Sequence, residues 1–216
     1  MSAPLRIILI CSLVLLVTGC TKVYYNAMEK VGIHKRDILV DRVQAARDSQ
    51  EETKEQFASA LEHFSSVLNF QGGALEEKYF ELKAELERIE KQAKEVRHRI
   101  DAVEDVAEAL FDEWETELDQ YASASLRQAS EQQLRQTKRQ YTRLIRAMKK
   151  AESRIDPVLQ PLRDQVLFLK HNLNARAIAS LQTELTRMET DISRLIQEME
   201  KAMEEADSFI KAMKSA

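Results

Sequence analysis

From Leu75 onward the apolar residues recur at Tyr79, Leu82, Leu86, Ile89, Ala93, Val96, Ile100, Val103, Ala107, Leu110 and Trp114. The gaps alternate four, three, four, three without a miss, and only then slip to Leu118 and Tyr121. A repeat held at 3.5 residues keeps one narrow apolar line facing a partner helix, which is the seam of a coiled coil. At 1.5 Å per residue the helix is on the order of 70 Å long. Such a rod needs partners, and the rest of the chain is patterned to supply them.

The segment before it carries the same alternation at Leu39, Val43, Ala46, Gln50, Thr53, Phe57, Ala60, Phe64 and Val67. Gln50 and Thr53 interrupt the apolar line. Polar residues in a seam fix register or oligomer state at a cost in stability. Gln71-Gly72-Gly73 separates the two segments, since paired glycines stop a helix and permit a tight reversal. After Ala122-Ser123-Ala124-Ser125 a third line runs through Leu134, Thr137, Tyr141, Leu144, Met148, Ala151, Ile155, Val158 and Leu162. Ser125 with Gln128 fits a capping box at its start. The phase survives Asp156-Pro157 and Pro161, which predicts a kinked helix reaching His171, or a new start with Asp156 as cap and Pro157 in the first turn. Asn174 caps a last helix with Ile178, Leu181, Leu185, Met188, Ile192, Leu195, Met199, Ala202, Ala206, Phe209 and Met213 in phase. Only four glycines and three prolines serve 216 residues, which leaves little material for turns and favours long helices. The expected fold is all-α: an elongated antiparallel four-helix coiled-coil bundle, with helices over about 37–70, 74–121, 126–171 and 175–213.

The first 20 residues read as an export signal. Arg6 is the only charge, and Ile7 to Val17 is an apolar core too short for a stable transmembrane helix, which needs ~20 residues. The ending Val17-Thr18-Gly19-Cys20 resembles the lipobox of bacterial lipoproteins. That resemblance implies a diacylglycerol on the Cys20 thiol, cleavage after residue 19, and acylation of the new amino terminus. Thr21, where retained lipoproteins carry Asp, implies the outer membrane facing the periplasm. Cysteine usage agrees: Cys11 leaves with the signal, so Cys20 is the only mature thiol and is consumed by lipid. Residues 20–36 then form the lipid anchor and tether, ahead of a helical domain over 37–216. Tyr24 and Tyr25 either sit at headgroup level or pack on the end of the bundle. Gly32 ends a short first helix.

Charge is strongly patterned. Between Asp101 and Asp119 every charged residue is acidic, whereas Arg127 to Lys150 carries eight basic residues and only Glu131 as an acid. Folding the chain at Ala122–Ser125 lays these blocks side by side, where opposite flanking charges set helix partners. The rival is a basic face over 127–150 that binds anionic lipid or glycan. A net charge of −4 gives no reason to expect nucleic acid. Glu95-Val96-Arg97-His98 matches the Glu-x-x-His element of di-iron bundles, but neither His34, His63 nor His171 supplies a second copy, so no metal or other cofactor is expected. There is no Gly-rich phosphate loop and no activated nucleophile motif, which gives catalysis no foothold.

With the lipobox, the segment Tyr24–Asp37 and the segment Leu167–Asn174, the chain resembles a family of uncharacterised proteobacterial helical lipoproteins. The resemblance covers essentially the whole mature chain and implies an address without a mechanism. Those two segments hold most of the identity outside the heptads and are the candidate partner sites, or else simply the helix ends and turns of the bundle. The expectation is a non-enzymatic envelope lipoprotein, membrane-tethered at Cys20, acting as adaptor, spacer or regulator of a protein partner. A homo-oligomer is compatible with the same pattern.

Overall fold

A computed structural model describes residues 25, 28, 32–68, 75–172 and 175–215, with side chains left aside at 67, 68, 75 and 175–183. The described residues hold five helices and no strand: α1 (Lys35–Leu68), α2 (Leu75–Leu118), α3 (Ala124–Glu152), α4 (Ile155–His171) and α5 (Ala175–Ser215). Cys20, the segment 1–20 read as an export signal, Tyr24, Gln71-Gly72-Gly73 and Asn174 lie outside them. The chain is an all-α bundle. It divides into two units, one of the described residues up to Arg42 with Asp101–Arg139, the other of Val43–Ile100 with Gln140–Ser215.

In the second unit the seams meet. Phe57, Ala60, Leu82, Ile89, Val96, Leu144, Met148, Ile155, Leu162, Ile192, Leu195, Met199 and Phe209 are all buried. Polar contacts around this core fix its topology. Gln92 donates to the Glu52 carboxylate at 2.8 Å and Gln56 donates to Glu85, so α1 and α2 run antiparallel. Arg97 reaches Asp156 at 2.6 Å and Arg163 reaches Glu90 at 2.5 Å, which sets α4 antiparallel to α2. Arg143 with Glu205 and Lys150 with Glu198 do the same for α3 and α5. Arg47, 3.2 Å from Asp207, closes the ring between α1 and α5.

The seam of α1 is buried from Leu39 to Phe64 as the spacing predicts, including its two interruptions: Gln50 and Thr53 are both fully inaccessible. Thr53 Oγ1 donates to the Ser49 carbonyl at 2.7 Å. Neither amide atom of Gln50 has a hydrogen-bond partner among the described residues. On α2 the seam is buried from Ile89 to Leu110, Tyr79 and Trp114 near its ends are half-buried, and one inner turn departs from expectation. Leu86 is half-buried and Glu85 takes the inner position, its carboxylate held by Gln56 and Arg88. Glu85 lies three after Leu82 and four before Ile89, so it satisfies the same alternation as Leu86 does.

The kinked third helix is instead two helices broken at Ser153-Arg154, upstream of both prolines. Proline forbids the hydrogen bond to the carbonyl four residues earlier and its ring clashes there. For Pro157 that carbonyl belongs to Ser153, which is where the ladder ends. The last bonds are Ser153 N–H to Lys149 and Arg154 N–H to Ala151. Asp156 is therefore no cap. It sits inside α4 and pairs with Arg97, which also contacts Glu152 at 3.1 Å on the other side of the break. Phase persists because Ala151, Ile155 and Val158 remain buried across it.

The first unit buries Tyr25, Ile38, Leu39, Val103, Val106, Ala107, Leu110, Phe111 and Leu134. Its α2–α3 hairpin is pinned by Trp114 Nε1 donating to Ser130 Oγ at 2.8 Å, and by Arg127 with Asp119 at 2.9 Å. Ser123 rather than Ser125 caps α3: its Oγ accepts from the Leu126 N–H at 3.4 Å, and Ser125 Oγ turns back to Ser123 Oγ at 3.0 Å. The helix begins one residue ahead of Ser125, which leaves that side chain inside the first turn.

Candidate functional site

The entry of the chain into α1 is built from a few local devices. Gly32 has φ +84°, and Ile33 N–H donates to the Met28 carbonyl at 3.1 Å. A bond spanning five residues around a left-handed glycine is a Schellman cap, the expected stop of the short first helix. His34 then offers its carbonyl to the N–H groups of Asp37 and Ile38, and α1 proceeds. Tyr25 is buried, so of the two roles weighed for it, packing on the bundle is the one it plays.

Lys35 is buried with its ammonium 2.8 Å from Glu113. A buried lysine is tolerated only when its charge is met, and the half-exposed Glu113 carboxylate meets it. Lys35 stands four residues before Leu39 on the α1 seam. That spacing is the signal of its burial, outweighed in a sequence reading by its charge.

The basic stretch 127–150 distributes itself among several partners. Arg127 and Lys138 pair with Asp119 and Glu115 across the hairpin, the second at 2.7 Å. Lys138 also lies 5.3 Å over the Phe111 ring, a cation–π contact. Arg135 pairs along its own helix with Glu131. Farther along, Arg143 and Lys150 turn to Glu205 and Glu198 of α5, at 3.6 and 2.9 Å. The two blocks thus face each other near the turn, while Arg143 and Lys150 farther along are matched by α5. Lys150 holds the Glu198 carboxyl below its usual range, chiefly through their hydrogen bond. Arg143, Arg146, Lys150 and Lys201 line an open groove of about 460 Å³ with Glu198 and Glu204. Arg139 and Arg146 are exposed and make no ion pair among the described residues.

Glu95 is drawn to Arg99 at 2.6 Å and His98 is exposed. Among the described residues no group of three or more His, Cys, Asp and Glu side chains is placed to hold a metal ion. No helix among them is long and apolar enough to cross a membrane.

The two segments singled out by their sequence both fall at helix ends. In the segment Leu167–Asn174, Leu169 is buried, whereas Leu167 and Phe168 are 60% and 41% exposed. Asn172 closes α4 by donating its backbone N–H to Leu169 and its side-chain amide to the Phe168 carbonyl. In the segment Tyr24–Asp37, Tyr25 and Lys35 are buried and Ile33 is 39% exposed.

Neither the curated proteins nor the solved structures contain a match to this chain. The model of the family described as Protein of unknown function (DUF2959) matches residues 24–213, which takes in both singled-out segments and every helix of the bundle. The chain therefore belongs to the DUF2959 family.

Proposed function

We propose that this chain is a non-enzymatic envelope lipoprotein, tethered through Cys20 to the outer membrane on its periplasmic side, whose helices serve a protein partner as adaptor, spacer or regulator. The tether rests on Val17-Thr18-Gly19-Cys20 and on the absence of any other mature cysteine. The observation that carries a partner is the adjacent pair Leu167 and Phe168, left to solvent on a helix whose neighbouring Val166 and Leu169 are buried. Adjacent exposed apolar side chains beside a helix end are an economical protein contact.

Palmitate labelling of wild type and Cys20→Ser tests the tether. Label is expected on the first alone, and label on the variant overturns it. A photo-crosslinking residue at Leu167 or Phe168, used in living cells, tests the partner. Adducts are expected there and not at the exposed Glu200. Adducts of equal yield at all three positions would remove the partner from this surface.

A second reading, membrane or glycan binding by residues 127–150, draws support from Arg139 and Arg146, both exposed and without an ion pair among the described residues. It predicts binding to anionic vesicles or lipopolysaccharide that collapses as salt rises.

A further inference from the structure

The first unit ends in a two-helix hairpin whose tip carries exposed apolar side chains. Lys35 meets Glu113, so α1 begins level with Glu113. The end of α2 runs past that level by about 8 Å, for the five residues from Glu113 to Leu118 at the helical rise, before the chain turns into α3. Tyr121 and Leu126 on this tip are 42% and 59% exposed, with Trp114 and Leu118 half-buried just behind them. Ile33, 39% exposed, stands just ahead of α1 in the same unit.

The length of chain leading to Cys20 says what can cover this tip. The Met28 carbonyl is bonded to Ile33 N–H, which keeps Met28 beside the start of α1. Tyr25, one helical turn earlier, is buried in the bundle. Tyr25 is only five positions after Cys20, a reach of at most about 18 Å even fully extended. Lipid on Cys20 and the hairpin tip can therefore meet one plane. A tyrosine and a leucine with a tryptophan behind them suit the boundary between headgroups and acyl chains, where amphipathic rings concentrate.

We infer that the tip of the α2–α3 hairpin, through Tyr121 and Leu126, seats on the headgroup region of the bilayer that holds the Cys20 lipid. The inference rests on the tether proposed above. Glu115 and Glu117 are exposed beside the tip, and Asp119 is paired with Arg127. This local acidity directs the seat to zwitterionic rather than anionic headgroups, the opposite preference to that of a basic face.

Trp114 is the single tryptophan, so its emission reports on this tip alone. The test uses full-length acylated protein reconstituted in phosphatidylcholine–phosphatidylethanolamine vesicles, with quenchers placed near the headgroups. The expected results are co-flotation, loss of Trp114 emission, and less quenching once phosphatidylglycerol replaces part of the zwitterionic lipid. Tyr121→Asp with Leu126→Asp should restore the emission while the protein still floats. Its circular-dichroism melt should stay at the wild-type temperature, since both side chains are exposed. Flotation without quenching, quenching unchanged in the double variant, or quenching that grows with phosphatidylglycerol would each overturn the seat and leave the tether standing. Protein that does not float overturns the tether, and the seat with it.

Discussion

Gly32 and Gln50 are the residues where this chain departs furthest from ordinary helical chemistry, in opposite ways. Gly32 sits at φ +84° with nothing within 4 Å of where a Cβ would stand. A side chain there meets no neighbour, so any cost is backbone strain alone. Gly32→Ala is expected to destabilise by about 1 kcal/mol, near 3 °C in melting temperature for a chain of this size, and Gly32→Asn by less. A silent Gly32→Ala melt would mean the cap contributes nothing to the fold. Gln50 is the reverse case, a residue whose backbone is ordinary and whose amide is buried without a partner among the described residues. A buried unsatisfied polar group costs about 1–3 kcal/mol, whereas leucine has nearly the volume of glutamine and no polar atom. Gln50→Leu should therefore raise the urea midpoint by the equivalent of about 1–2 kcal/mol. A lowered midpoint would assign the amide a register-fixing partner instead. Both positions were legible in the sequence, Gly32 as a stop and Gln50 as a break in the seam. Lys35 and Glu85 were not, although both keep the three-four spacing, because charge argues for solvent until the neutralising partner is known.

At the scale of elements, the break between α3 and α4 shows what a periodic reading can and cannot locate. Apolar phase reports which face is buried, and it continues through Ala151, Ile155 and Val158. It carries no information on backbone hydrogen bonds, so the interruption four residues before Pro157 left no trace in the pattern. The same blindness displaced the α3 cap from Ser123 to Ser125, two serines separated by one alanine. Arg97 spans the break by contacting Glu152 and Asp156, and those contacts hold its guanidinium still more firmly protonated than usual. Arg97→Met should leave global stability lower by about 1 kcal/mol or less, since such half-exposed pairs are individually weak. Local opening should respond more clearly, with amide exchange at residues 152–158 faster by about fivefold, the equivalent of 1 kcal/mol. Unchanged exchange there would leave the prolines alone in charge of the break. The Lys150–Glu198 pair between α3 and α5 makes a pH-dependent prediction. Its carboxyl pKa is depressed in the fold, so the pair's stabilisation is present at neutral pH and is lost as pH falls through that lowered value. Lys150→Met should weaken the protein at pH 7 and flatten the acid side of its stability curve, as read by urea unfolding across pH.

Across the whole chain, the seams and the charge blocks differ in how well sequence alone could assign them. A seam names its own buried face, and Leu39 through Phe64 and Met188 through Met213 are buried at the positions their spacing picks out. A charged residue has no such single answer, since any nearby helix of opposite sign can meet it. The acidic block over 101–119 is the obvious partner for the basic block in sequence because one turn separates them. In the structure Asp119 and Glu115 of that block meet Arg127 and Lys138, while Arg143 and Lys150 find Glu205 and Glu198 on α5. Two independent charge swaps follow. Arg127→Glu with Lys138→Glu should lower the melting temperature at low salt and be rescued by Asp119→Lys with Glu115→Lys. Arg143→Glu with Lys150→Glu should be rescued by Glu205→Lys with Glu198→Lys, and not by any reversal on α2. Each pair alone contributes ~0–1 kcal/mol, but reversal replaces an attraction by a repulsion of similar size, which doubles what the melt reads. Salt at 1 M, where the Debye length is ~3 Å, should recover much of either loss without the compensating changes. Rescue of the Arg143–Lys150 reversal by lysines at Glu104 and Glu108 would return the whole basic block to the α2–α3 hairpin and undo the partition described for α3.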